Sequence, residues 1–366
     1  MFSVHSHAKI TLCVALLFSG FSFAANEIES RIVNGTVIDV NRYSSFASLF
    51  FDSLEYDGSY FPWASCGATI LNTSHVLTAA HCVEDLGSMA LFLVVVPQLQ
   101  DENDYPFGNI QRHRVAKIYY PDNFSNSPYT LFPNDIAILK LENPMNIDSI
   151  NDVVKRPQNE VYRSQSETFF AVGHGNTSTG YDNESQLQET QLTYISNTQC
   201  ANIFSDGVYL TNKQICFDGN FSQQSQLKNS TCNGDSGGPV YWLNNGEMIQ
   251  VGLTSFGPQV CGDPNWAVTS VFTEISDYAA WIDSVLAGNE SAKVTVTEQM
   301  RLDYFNGDSG SFNETGSSVN NEEAPLSFGS SSGGGAVELW LLVYYLLHFS
   351  LNRVWPSIFS LKRSKE

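Results

Sequence analysis

Three short blocks carry residues able to do chemistry together. They are Thr78-Ala79-Ala80-His81-Cys82, Asn134-Asp135-Ile136-Ala137-Ile138-Leu139 and Gly234-Asp235-Ser236-Gly237-Gly238-Pro239. A lone serine, histidine or aspartate means little. The order His81, Asp135, Ser236, each in its own context, points to attack on an acyl carbon. Ser236 supplies the oxygen, His81 removes its proton and Asp135 orients the imidazole. A carboxylate at the mouth of the apolar run Ile136–Leu139 is costly unless hydrogen-bonded, and an imidazole partner meets that need. The other candidates read as ordinary residues: His75, His113 and His174 as structural or surface histidines, Asp122 and Asp152 as turn residues. Such acyl transfer calls for no cofactor. A metal site is a poor alternative, since no Cys-x-x-Cys or His-x-x-x-His spacing occurs.

The elements that must hold these groups read as β-strands. Runs such as Ser44–Phe51, Gly67–Leu71, His75–Thr78, Ala90–Val96, Val115–Tyr119, Ile136–Leu141, Thr168–Gly173, Pro239–Trp242, Met248–Ser255 and Ala267–Thr273 are rich in Phe, Tyr, Val and Ile. Asn, Gly, Pro, Asp and Ser separate them. The pattern predicts an all-β sandwich or pair of barrels over residues 32–287. One helix is expected at its end, Ser276–Leu286, stopped by Gly288.

The 366 residues carry a formal charge of -20, which argues against nucleic acid as a partner and against anionic membrane surfaces for the folded body. Lys9, the apolar run Ile10–Phe23 and Ser22-Phe23-Ala24 read as a secretory signal over residues 1–24. Six cysteines then remain: Cys66, Cys82, Cys200, Cys216, Cys232 and Cys261. An even number in an exported chain suggests three disulfides out of 15 possible pairings, and sequence neighbours are the natural choice: Cys66–Cys82, Cys200–Cys216, Cys232–Cys261. Residues 289–335, rich in Ser, Gly, Asn and Glu, read as a flexible spacer, with a strand pair possible around Val294–Val296 and Leu302–Phe305. Residues 336–366 combine the apolar run Ala336–Leu351 with a basic end (Arg353, Lys362, Arg363, Lys365). This is expected to contact the membrane, at least transiently, although the run falls short of the ~20 residues of a helical span. The other reading is a buried helix of a second domain, for which no packing partner remains in the sequence.

Residues 32–287 resemble the chymotrypsin/trypsin family of serine proteases, in the three blocks and in the cysteine pattern. The resemblance implies two antiparallel six-stranded β-barrels with a C-terminal helix, and a secreted serine endopeptidase acting on polypeptides through an acyl-enzyme. It implies His81, Asp135 and Ser236 as the catalytic groups and the amides of Gly234 and Ser236 as the oxyanion hole. Arg31-Ile32-Val33-Asn34-Gly35 resembles the family's activation site, which implies a propeptide over residues 25–31 and an activating protease. Cleavage after Arg31 would free the Ile32 ammonium to pair with Asp235, leaving a protease domain over residues 32–288. Ser230 falls at the pocket floor, where trypsin-like members carry an aspartate. Ser255-Phe256-Gly257 matches the strand that pairs with substrate backbone, and Ser270 stands on the far wall. Cleavage after uncharged residues is therefore expected; Asp263 swinging in from its loop would restore a basic preference. The tail resembles a GlyGly-CTERM sorting signal, implying secretion and tail-processing machinery. A GPI signal, which ends in apolar residues, is the competing reading. A non-catalytic binding protein on a protease scaffold, or an esterase using the same groups, are the remaining alternatives.

Overall fold

The computed structural model describes residues 32–181 and 184–307. The signal reading at 1–24, the propeptide at 25–31 and the apolar segment at 336–366 lie outside the described residues. Among the described residues no helix is long and apolar enough to cross a membrane.

The strands are β1 (Thr36–Val37), β2 (Phe46–Phe51), β3 (Cys66–Asn72), β4 (His75–Thr78), β5 (Leu93–Pro97), β6 (His113–Tyr119), β7 (Ala137–Leu141), β8 (Phe169–Gly173), β9 (Gln188–Ile195), β10 (Gln214–Gly219), β11 (Pro239–Asn244), β12 (Glu247–Phe256), β13 (Ser270–Glu274) and β14 (Val294–Thr295). Three α-helices accompany them among the described residues: α1 (Asn197–Ala201), α2 (Ala279–Leu286) and α3 (Glu298–Asn306). All strand pairings are antiparallel. In the first sheet the order β6-β5-β2-β3-β4-β7 closes through β6–β7. In the second, β9-β10-β13-β12-β11-β8 closes through β9–β8. The result is two closed six-stranded barrels, each extended at one strand: β14 joins the first at β6 and β1 joins the second at β9. Closure removes the unpaired edges that open sheets must protect.

Each barrel fills with its own apolar residues. Ala47, Leu49, Ile70, Val95, Val115 and Leu139 form the first core. Phe169, Ala171, Leu192, Phe217, Val240 and Phe272 form the second. A third cluster joins them: Leu77 and Ile138 from the first barrel, Leu253 from the second, and Ile282 and Val285 from α2. The expected helix begins as a 3-10 turn at Ser276–Tyr278 before α2, and Gly288 takes a left-handed φ of 78° beyond its end. The region expected as a strand over 90–96 starts as 3-10 helix, Gly87–Phe92, with strand only from Leu93. The sequence reading missed β9, β10 and the short β1. β9 alternates buried and half-exposed residues (Gln188, Thr190 and Leu192 inward), so its inner face is too polar to register as an apolar run.

The flexible-spacer expectation for residues 289–335 is corrected over its first part. Val294 and Val296 are buried, β14 pairs Val294 with Ile118, and Leu302–Phe305 lies in α3 rather than in a strand. Thr297 caps that helix by accepting from the Met300 amide at 3.3 Å, and Gly307 ends it at φ 75°. Composition concealed this because the anchor is a cation. Arg301 is fully buried and donates to the carbonyls of Leu91 (2.7 Å) and Val115 (3.4 Å) and to Glu142 (2.6 Å) and Glu298 (3.2 Å). Tyr56 stacks on Phe305, with ring centroids 5.2 Å apart, and closes the contact.

Candidate functional site

His81 sits on a 3-10 turn just after β4, and Asp135 just before β7, the strand that pairs with β4. The pairing Thr78↔Ala137 brings the two residues together. Asp135 is fully buried. Its Oδ1 accepts from the His81 amide at 2.9 Å and its Oδ2 lies 2.7 Å from His81 Nδ1. Ser255 donates its hydroxyl to the same Oδ2 at 2.6 Å, and Thr273 donates to the Asp135 carbonyl at 2.7 Å. Ser255 and Thr273 lie on β12 and β13 of the second barrel, so both barrels contribute to holding this carboxylate. A carboxylate can only accept hydrogen bonds, so the proton belongs on Nδ1 and the Nε2 lone pair faces away from Asp135.

Ser236 enters from the turn before β11. Its carbonyl accepts from the Gly67 amide at 2.8 Å, and the Gly67 carbonyl accepts from Thr78 Oγ1 at 2.8 Å. Thr78 is three residues before His81, and Cys66, beside Gly67, is bonded to Cys82, beside His81. The backbone carrying Ser236 is thus tied directly to the backbone carrying His81. Gly234 adopts φ 99°, which L side chains rarely reach, and a Cβ there would stand 3.0 Å from Gly175 Cα. Among the described residues the amides of Gly234 and Ser236 have no acceptor within the chain.

Asp235, between them, is almost fully buried. Its carboxylate accepts from the Gly175 amide at 2.9 Å and the Cys232 amide at 2.8 Å. A side chain at Gly175 would overlap that carboxylate. Ile32 is fully buried, and its amide donates to the carbonyl of the same Gly175 at 2.9 Å. Arg31 lies outside the described residues.

Ser230 and Ser270 are fully buried on facing segments. Ser230 Oγ lies 2.6 Å from the Thr231 carbonyl and 3.1 Å from the Thr269 carbonyl. Ser270 Oγ accepts from the Thr231 amide at 3.1 Å and lies 2.9 Å from Thr231 Oγ1. Gly257 packs against the Thr269 carbonyl, closing the ring of expected pocket residues. Asp263 is turned to its own loop: its Oδ1 accepts from the Asn265 amide (2.9 Å) and side chain (2.8 Å).

Sequence reasoning placed Ser255 on a substrate-pairing strand and missed its hydroxyl on Asp135; nothing in the Ser255-Phe256-Gly257 motif signals that bond. It also missed a file of aromatic rings leading away from His81. Phe132 lies 6.5 Å from the imidazole, Phe256 is 5.5 Å from Phe132, Phe204 is 5.6 Å from Phe256, and Trp266 is 6.1 Å from Phe204. These four residues are scattered over 135 positions of sequence, which is why no local pattern reveals them.

The three disulfides are Cys66–Cys82, Cys200–Cys216 and Cys232–Cys261. The first ties the β3 strand to the His81 turn, and the third ties the Ser236 loop to the pocket loop. Three such bonds fit an extracytoplasmic protein. Cys66 and Cys82 are spent in a disulfide and cannot join His81 as thiolate ligands of a metal. Glu160, Glu274 and Asp277 also converge, but Glu274 is buried and held by Arg163 and the Tyr162 hydroxyl.

Residues 37–282 match the family model described as Trypsin. Chymotrypsin-like elastase family member 1 of Macaca fascicularis is 31% identical over 268 residues, covering 72% of this chain and 92% of that one. Kallikrein-1 of Mus musculus is 29% identical over 77% of this chain and 99% of its own. The CLIP domain-containing serine protease B4 of Anopheles gambiae is 28% identical over 59% of this chain and 61% of its own.

Proposed function

The chain belongs to the trypsin family of serine proteases and is a serine endopeptidase, and from that premise we propose that Ser236, His81 and Asp135 carry the reaction. The observation that bears most weight is the Asp135 carboxylate, buried and bonded to both nitrogen donors of His81 and to Ser255. It fixes the Nδ1–H tautomer, so Nε2 is the base that takes the Ser236 proton as Oγ attacks the scissile carbonyl. Negative charge then develops on the carbonyl oxygen, where the amides of Gly234 and Ser236 receive it. Nε2 returns the proton to the leaving amine. Water, deprotonated by the same nitrogen, opens the acyl-enzyme and regenerates Ser236.

Cleavage follows uncharged residues. The floor is made by Ser230, Thr231 and Ser270, hydroxyls that satisfy one another and nearby carbonyls and offer no charge to a buried cation. The commitment of Asp263 to Asn265 speaks against a trypsin-like preference through that residue. The aromatic file from Phe132 to Trp266 suits apolar residues on the acyl side.

The protein is made as a zymogen cleaved by another protease after Arg31. Two features support this: Ile32 is sealed against Gly175, and the Asp235 carboxylate is bonded to that same glycine's amide. An ammonium created at Ile32 would lie next to a buried carboxylate. The N-terminal residues direct export, and residues 336–366 engage tail-processing machinery of the GlyGly-CTERM kind. Labelling with a serine-directed fluorophosphonate, followed by cleavage of a peptide library, tests the whole reading. Absence of label on Ser236 would favour a binding protein, and preference for Lys or Arg would overturn the pocket assignment.

A further inference from the structure

A cleft opens where the turn after β6, helix α2 and the segment following α2 meet. Its volume is about 520 Å³, within the roughly 300–1,000 Å³ of small-ligand pockets. Tyr119, Tyr120 and Asn123 line it from the turn, Trp281 from α2, and residues 289–293 from the segment beyond. That last segment lies outside the matched family region, 37–282. Its place is fixed: the Lys293 amide donates to the Ile118 carbonyl and the Val296 amide to the Ala116 carbonyl, each at 2.8 Å, with β14 paired to β6 between them. None of His81, Asp135 and Ser236 lines this cleft.

Two polar groups on its aromatic walls have no partner among the described residues. Tyr119 is 7% exposed, yet its hydroxyl bonds to nothing in the chain. Burial raises its pKa, so the hydroxyl stays protonated and can both donate and accept. The indole N–H of Trp281 likewise has no acceptor. Polar groups on buried rings call for a partner that the chain does not supply.

The charges at the rim are already engaged. Lys293 pairs with Asp122 and lies over the Tyr120 ring, 5.7 Å from its centroid. Glu290 accepts from the Ser284 hydroxyl at 2.7 Å. A cationic ligand would find the Tyr120 face taken, and an anionic one would meet Asp122 and Glu290. A wholly apolar ligand would leave the Tyr119 hydroxyl and the Trp281 N–H unsatisfied. What fits is an uncharged ring with one apolar face and several hydroxyls, which describes a pyranose. Its C–H face suits an aromatic ring, and its hydroxyls suit the phenol, amide and carboxylate groups around it.

We propose that this cleft binds a neutral pyranose unit of a saccharide. Such a site holds the protein on glycan-bearing material while the reacting groups work elsewhere. The proposal is independent of the roles given above to His81, Asp135 and Ser236.

The test uses the full chain carrying Ser236→Ala, so that no probe is digested. Methyl glycosides of glucose, galactose, mannose and N-acetylglucosamine are titrated by calorimetry and saturation-transfer NMR. Mannitol, which has hydroxyls but no ring face, tetramethylammonium and a sulfated glucose serve as controls. At least one glycoside should saturate with a Kd on the order of 1 mM, ordinary for so small a ligand. Tyr119→Phe removes only the open hydroxyl and should weaken binding about fivefold, the worth of one neutral hydrogen bond, with Tm unchanged. Trp281→Ala should abolish binding. No saturation by any glycoside, equal binding of mannitol, preference for either charged control, or an affinity that neither variant moves overturns the proposal. Retention on an immobilised glycoprotein that deglycosylation removes assigns the ring to protein-borne glycans; retention on neutral polysaccharide beads assigns it to a polysaccharide. Either result supports the site.

Discussion

Replacing Arg301 by Met should loosen the whole N-terminal barrel although the residue lies beyond the matched family region, 37–282. The guanidinium is fully buried and supplies donors to two main-chain carbonyls, Leu91 and Val115, and to Glu142 and Glu298. Burial disfavours its charge, but the hydrogen bond and charge of Glu142 more than compensate and raise its pKa. Met keeps much of the volume and removes every donor. The side chains of Glu142 (24% exposed) and Glu298 (62% exposed) can turn to water, so their loss counts for little. The two carbonyls cannot, and each unsatisfied buried acceptor costs about 1–3 kcal/mol. The sum is about 2–6 kcal/mol, or a fall in Tm of roughly 4–24 °C at 2–4 °C per kcal/mol. Thermal and urea unfolding of the full chain measure it, and ending the chain after Gly288 should cost at least as much. A Met variant within about 0.5 kcal/mol of wild type, the range of ordinary surface substitutions, would refute the view that residues 289–307 are an integral part of the domain.

Asp135→Asn should leave the fold intact and lower kcat about 10⁴-fold, a magnitude carried over from serine-protease triads in general; steady-state kinetics decide it. Gly175→Ala should push into the Asp235 carboxylate, which is buried and held by two amides, and lower both activity and stability, seen as lost fluorophosphonate labelling and a reduced Tm. Arg31→Gln should give a folded precursor that no activating protease switches on, checked by zymography. Burial and, for His75, the charge of Lys140 hold the pKa values of His75 and His113 below the usual histidine value. The unfolded chain therefore takes up protons first as pH falls below about 6.5, so the contribution of these two groups is complete above that pH and is lost as pH falls. His75→Asn should flatten the acid limb of a stability-versus-pH curve, and an unchanged limb would contradict the assignment.

The parts of this molecule that sequence reveals are those where local residue type and local geometry agree. The Thr78–Cys82, Asn134–Leu139 and Gly234–Pro239 blocks are short, and each lies at a strand end, so their chemistry and position are visible together. The disulfides followed from counting and from nearness in the chain. β9 and β10 escaped notice because tertiary contacts set their inner faces: Gln188 and Gln214 are buried there, against any simple apolar pattern. The collar from Ala292 to Gly307 escaped for a related reason. Its decisive residue is a buried arginine whose partners, Leu91, Val115 and Glu142, are more than 150 positions away. The hydroxyl of Ser255 on Asp135 spans 120 positions and leaves no local trace.

The division of labour between the barrels bears on how long the molecule can survive its own kind. His81 and Asp135 belong to one half of the chain and Ser236, Ser255 and Thr273 to the other, joined by contacts such as Ser255 Oγ to Asp135 Oδ2 and the Gly67 amide to the Ser236 carbonyl. With the roles proposed for His81, Asp135 and Ser236, a fragment from either side would inherit an incomplete set of reacting groups. Self-digestion that parts the two halves therefore yields inert debris rather than an unregulated miniature hydrolase, so decay of the molecule also switches it off.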